Sequence, residues 1–326
     1  MKHRYILRLL IILSIQFSAV TAIASDQETD TQRTVREVYS VLNGSHYEFS
    51  APDEGGHPTS LPENIFEKRI NEKNNAPSFY SRNTVLPADA IEQLITPKSG
   101  ETHYIECNIA ASICQNALFM HALGGEDYFN HFSLNASATW KTMCPSEPSY
   151  KFLSNIVLSN KADENENFAN DLLIAPLPLK GGKLDLTKLS TGDILSLEND
   201  SLYYHRHPYG RCGAENVVFY GFNEDRKPLF FGFKGIFEDG KPHTLNEIQI
   251  AMLEDFLKEP NEFENNYHAY YPLSSDVSDR IEKQITVIKE IGNNNLASEI
   301  YQPEIGITLA TENIERIKTI IGGGEL

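Results

Sequence analysis

Cys107 stands where a loop becomes a helix, which is the placement a thiol needs to act as a nucleophile. Free backbone N–H groups and the positive end of the helix dipole stabilise a thiolate and lower its pKa, toward about 7 or below. The thiolate is the attacking species in cysteine catalysis. A buried structural cysteine or half of a disulfide is the plainer alternative for the same residue. Glu106 directly precedes it. Glu215 opens a β-rich segment, and an acid there, set beside a thiol, would orient a base or act as one. Taken alone it would be a solvated strand-edge Glu. Candidate bases are His205 and His207, in Tyr204-His-Arg-His-Pro208, and His103, four residues before the cysteine. Each reads otherwise as a loop or core histidine. Two His with one intervening residue and no third ligand nearby are weak evidence for zinc, so neither metal nor cofactor is expected.

The elements that must position these groups follow from periodicity. From Asn108 to Leu123, apolar residues recur at helical spacing (Ile109, Ala110, Ile113, Ala117, Met120), and Gly124-Gly125 stops the helix. A short helix over Pro87 to Leu94 precedes it, and Asp127 to Ser137 is a further helical candidate. Gly192 to Glu198 alternates like a strand, Asn216 to Tyr220 is rich in β formers, and Leu229-Phe230-Phe231 begins a third strand. Thr244-Leu-Asn-Glu247 is a capping box that opens a helix to about Leu257. Helices are also expected over Asp276 to Ile291 and Thr311 to Ile321. Residues 25 to about 35 read as a frayed tail and 43 to 80 as long loops. Helix first and antiparallel sheet second is an α+β order.

Four blocks of the sequence resemble the bacterial spore-coat type transglutaminases (protein-glutamine γ-glutamyltransferases). Tyr104-Ile-Glu-Cys-Asn-Ile-Ala-Ala111 is similar to that family's Glu-Cys-Ala-Thr-Ala helix start. Asp127-Tyr-Phe-Asn130, followed by Trp140, is similar to its Lys-Phe-Asn and Asp-Trp stretch. Gly192-Asp-Ile-Leu-Ser-Leu-Glu-Asn199 resembles its Gly-Asp-Cys-x-Tyr-Phe-Lys-Asn. Gly213-Ala-Glu-Asn-Val-Val218 resembles its Gly-Glu-Asn-Val-Ile, with one residue inserted. The resemblance implies a papain-like or NlpC/P60-like α+β core, with the Cys at a helix N-terminus packed on an antiparallel sheet and C-terminal helices added. It implies acyl transfer from a protein glutamine to a lysine or other primary amine through a Cys thioester. Cys107 matches the family's nucleophile, Glu215 its essential Glu, and Glu106 its Glu beside the Cys. The family's His does not carry over. Its place falls at about Gly232, and there is no His from 208 to 242. The alternatives are an NlpC/P60-like cysteine amidase or peptidase and a catalytically degraded binding protein on the same scaffold.

The start of the chain supplies an address. Lys2, Arg4 and Arg8 precede a largely apolar Leu9 to Val20, then Ala22-Ile-Ala24 and a polar Ser25-Asp-Gln27. That pattern is a secretory signal peptide over residues 1–24, and the apolar run is shorter than the ~20 residues a span needs. A secreted or periplasmic protein with no membrane span is expected. Its organisation would be a tail and loop-rich segment over 25–84, a transglutaminase-like core over 85–258 and a helical extension over 259–326. In an oxidising compartment Cys107, Cys114, Cys144 and Cys212 are disulfide candidates. Cys107 and Cys114 on one helix would lie roughly 10 Å apart along its axis, too far to bridge. The 326 residues hold 28 Lys plus Arg and 45 Asp plus Glu, for a formal net charge of −17. That excess of acid argues against nucleic acid and anionic membrane surfaces as partners. Proteins with accessible Gln and Lys, and polyamines, are the expected substrates.

Overall fold

Val217 and Val218 are adjacent, both buried, and belong to different cores. Side chains alternate across a strand, so a strand buried on both faces must be covered by helices on both sides. A computed structural model describes residues 28–50, 57–70, 77–82, 84–122, 125, 157–159, 174–175, 179–180, 183–184, 186–207, 212–260, 272–291 and 307–308. Its helices are α1 (Asp30–Leu42), α2 (Pro87–Ile95), α3 (Cys107–Ala122), α4 (Tyr203–Arg206), α5 (Leu245–Leu257) and α6 (Ser275–Ile291). The strands β1 (Tyr47–Phe49), β2 (Phe66–Ile70), β3 (Pro77–Ser81), β4 (His103–Ile105) and β5 (Val157–Ser159) come first in the chain. Then follow β6 (Ile174–Ala175), β7 (Leu179–Lys180), β8 (Lys183–Leu184), β9 (Ile194–Glu198), β10 (Ala214–Phe222), β11 (Pro228–Phe231), β12 (His243–Thr244) and β13 (Ile307–Thr308).

The main sheet runs β12-β11-β10-β9-β13-β6 and every pairing in it is antiparallel. On one face α1, α2 and α3 pack with Val218, Phe231 and Phe233. On the other, α5 packs Leu245, Ile248 and Met252 against Leu195, Leu197, Val217 and Phe219. A third cluster joins α4, α5 and α6 through Tyr203, Leu253, Phe256, Ile281, Ile285 and Ile288. The class is α+β, as the element order implies. Smaller pieces lie outside the main sheet: β1 runs parallel to β4, β2-β3-β5 is an antiparallel triplet, and β7-β8 is a short hairpin.

Most expected elements form within a residue or two of their forecast ends. The capping box holds as read: Thr244 Oγ1 accepts the Glu247 N–H at 3.4 Å, and Glu247 Oε2 accepts the Thr244 N–H at 2.7 Å. The N-terminal segment differs from its expected tail. A second capping box, Thr29 with Gln32, starts α1 at Asp30, and Val35, Val38, Tyr39 and Leu42 sit in the principal core. A four-residue apolar stripe at helical spacing has nowhere else to bury itself. The residue 85 boundary therefore cuts through a shared core. The extension beyond 258 is not separate either: α6 packs on α5, and β13 extends the main sheet beside β9. The signal peptide and the helices expected at 127–137 and 311–321 lie outside the described residues. Among the described residues, no helix is long and apolar enough to cross a membrane.

Candidate active site

The helix that carries Cys107 begins at the cysteine itself. Glu106 O accepts the Ala110 N–H at 3.0 Å and closes the first turn. Asn108 Oδ1 takes the Ile109 N–H at 2.8 Å, one of the donors a helix start leaves unpaired. Below the thiol, Ile109, Ala110, Ile113 and Ala117 lock α3 against the sheet. The sulfur meets the start of β10. Asn216 Nδ2 donates to Sγ at 3.3 Å, and Sγ lies 3.9 Å from Ala214 O.

Glu215 sits between those two residues in the chain and is buried. One carboxyl oxygen accepts the Phe233 N–H, while Oε1 has no hydrogen-bond partner. Burial pushes the Glu215 carboxyl above the ordinary carboxylate range, against the pull of the Phe233 N–H. The turn that supplies this N–H is held from α1. Asn43 Nδ2 donates to Gly232 O at 3.1 Å, and Asn43 Oδ1 accepts the Lys234 N–H at 2.6 Å. Lys234 adopts φ 59° there, and its Nζ donates to Gly44 O at 3.0 Å.

The thiol does not have the lowered pKa that its helix position implies. Burial pushes the Cys107 thiol well up, the Glu215 and Glu106 charges push it further, and the Asn216 N–H only partly offsets them. A helix-dipole contribution of up to about 1 kcal/mol is smaller than desolvation of a charge. The resting group at neutral pH is a thiol, beside a carboxyl whose affinity for a proton is raised. Glu106 lies beside the thiol, on which its charge acts, and Thr59 Oγ1 donates to its Oε1 at 3.4 Å.

The structure seats the candidate histidines in other surroundings. His207 is buried with its Nε2 3.1 Å from Phe256 O, tilted against the Tyr203 ring. His205 lines a cavity of about 630 Å³ with Arg206, Phe256, Pro272 and Val277, on the α5–α6 side. His103 is buried on β4 against Tyr47. The groups that weigh most on the Cys107 thiol are Glu215, Asn216 and Glu106. The Gly232 position has no room for one, since a Cβ there would lie 2.3 Å from the Phe237 ring.

Reading the sequence missed three contributors. Asn216 was passed over as a β former. Asn43 fell in the expected loops, although an Asn at a helix C-terminus is a known stop signal. Tyr204 adjoins the histidines that drew attention, and it is this residue that comes near Cys107, Glu198 and Glu106. Cys107, Cys114 and Cys212 are free thiols, and Cys144 lies outside the described residues. Among the described residues, no group of three or more His, Cys, Asp or Glu is placed to hold a metal ion. No protein-family model, curated protein or solved structure matches this chain.

Proposed function

We propose that this protein is an exported thiol acyltransferase of transglutaminase type on a papain-like or NlpC/P60-like core. The observation that carries the reading is the Cys107–Asn216–Glu215 grouping. It sets a thiol at a helix start, an amide N–H on its sulfur, and a buried carboxyl whose one oxygen is unpartnered. Cys107 and Glu215 are also the positions at which the sequence resembles that family.

In this reaction Cys107 Sγ attacks the carboxamide carbon of a protein glutamine while its proton passes to ionised Glu215. The adduct collapses as Glu215 returns the proton to the amide nitrogen, and ammonia leaves. A neutral lysine or polyamine nitrogen then attacks the thioester. Glu215 takes the amine proton and gives it to the departing sulfur, which closes the cycle. One carboxamide and one amine yield one isopeptide and one ammonia. A carboxyl raised by burial is a stronger base than an ordinary one near neutral pH, which suits it to replace the family's missing imidazole. Asn216 Nδ2 stabilises the charge that develops on sulfur.

Two other readings share this site. An amidase would use water in place of the amine. The thiol's high pKa favours a binding protein on a silent scaffold. A single assay separates all three: mature protein and C107A with a glutamine donor and a labelled primary amine. Incorporation lost in the mutant supports transfer, ammonia without incorporation supports hydrolysis, and equal background in both removes catalysis.

A further inference from the structure

Two consecutive tyrosines on α4 have opposite environments. Tyr203 is 1% exposed and Tyr204 is 56% exposed. Tyr203 is an anchor: its hydroxyl donates to Asp255 Oδ2 at 2.7 Å and accepts the Cys212 N–H at 3.1 Å, inside the α5–α6 cluster. The same turn is tied down twice more. Arg280 Nη1 on α6 donates to Asp200 Oδ2 at 2.5 Å. Arg206 donates to Phe256 O at 2.9 Å and to Lys258 O at 2.6 Å at the end of α5.

Held this way, the neighbouring Tyr204 ring packs close against the backbone of Gly213. A Cβ at Gly213 would fall 2.1 Å from Tyr204 Cζ and 2.3 Å from its hydroxyl. The next residue is Ala214, whose carbonyl faces the Cys107 sulfur. Of the charges that act on the Tyr204 phenol, that of Cys107 is the largest, followed by Glu198 and Glu106. An exposed aromatic ring contributes little to a core, yet three fixed contacts keep its segment in place beside a thiol.

We propose that Tyr204 determines which ligands reach the Cys107 sulfur, its ring forming the wall they must pass and helices α5 and α6 holding that wall in position. This rests on Cys107 being the reacting group and not on acyl transfer. It assigns residues beyond 258 a part in the site: through α6 they set the aperture. Slender chains pass beside the ring, and bulky groups require it to swing out.

The test is site-resolved thiol modification of the full chain, read by mass on the Cys107 peptide. Iodoacetamide serves as the small reagent and fluorescein maleimide as the bulky one. Tyr204→Ala is expected to raise the maleimide rate roughly tenfold, equivalent to removing an opening step of about 1.4 kcal/mol, and to raise the iodoacetamide rate less. Tyr204→Phe keeps the ring and should keep both wild-type rates. Arg280→Ala should shift the maleimide rate in the same direction by a smaller factor. Unchanged rates in Tyr204→Ala overturn the proposal, as does a parallel rise at Cys114, which would mean general unfolding. A protein that modifies as expected but incorporates no amine would sink the acyltransferase reading alone.

Discussion

The Cys107 site and the α4–α5–α6 junction both bury acids, and they treat them in opposite ways. At the junction, burial pushes Asp200 and Asp255 up, but Arg280 and the Leu202 N–H, and Lys258 and the Tyr203 hydroxyl, more than offset it. Both carboxylates end below their ordinary range. At the site Glu215 has one backbone donor and an orphan oxygen, and burial leaves it above its ordinary range. Complete pairing gives a stable ion. Incomplete pairing gives a proton carrier whose affinity lies nearer neutrality, at a cost in stability. The junction keeps its acids ionised, and the site keeps a proton to a higher pH.

The largest effect expected is at Cys107. Cys107→Ala should abolish labelled-amine incorporation and leave the far-UV circular dichroism unchanged. Persistent incorporation would mean that the site has been misplaced. Next, Glu215→Gln should cut the rate by about 10²–10⁴, the usual worth of a general base. It should also change the dependence of stability on pH. The unfolded chain releases the Glu215 proton in the ordinary carboxyl range, while the folded chain keeps it to a higher pH. Stability therefore falls as pH rises between those two values. Melting curves should lose that decline in the Gln variant. A decline of the same size would show that Glu215 is not the titrating group.

Asn43→Ala comes third. It leaves Gly232 O and the Lys234 N–H without their partner, at about 1–3 kcal/mol by urea denaturation. It should also slow incorporation, because the Phe233 donor to Glu215 moves with the turn. A stability loss with an intact rate would show that the turn is merely structural. Arg280→Ala should cost about 1 kcal/mol, discounted because Arg280 is partly exposed. Asp200 titrates below its unfolded value, so its contribution is present at neutral pH and lost as pH falls through the folded value. The acid limb of the melting profile should flatten in this variant while the decline with rising pH due to Glu215 stays. The smallest effect is that of salt. At net charge −17, raising ionic strength should weaken the apparent affinity for a cationic acceptor about twofold. An unchanged affinity would dismiss long-range attraction.

Much of this was legible because it is local. The spacing of Ile109, Ile113 and Ala117 places α3, and Gly124-Gly125 bounds it to within a residue or two. Thr244 and Glu247 mark the start of α5 to the residue. Alternation finds β9, although β10 runs further at both ends than its β formers indicate, to Ala214 and Phe222. The polar run before Asp30 hides the Thr29–Gln32 capping box, which is why α1 reads as a tail. His205 and His207 attract attention by residue type, yet one lies on a four-residue helix and the other caps its end, so each side chain leaves in its own direction. Type alone does not reveal that Tyr204 packs against Gly213, next to the residue whose carbonyl faces the thiol, or that His207 reaches Phe256 O at the end of α5.

Taken by itself, the sequence determined the α+β order, the helix that begins at Cys107, and Glu215 at the head of a strand, because helix starts and strand periods are written in neighbouring residues. Only the tertiary structure decided the state of the site. Desolvation and the approach of Glu215 and Glu106 raise the thiol's pKa, Asn216 supplies a side-chain donor to it, and Asn43 and Arg280 reach in from elements 189 and 80 residues away from the groups they hold. Those are through-space effects between segments distant in the chain, and they exist only once the core has closed.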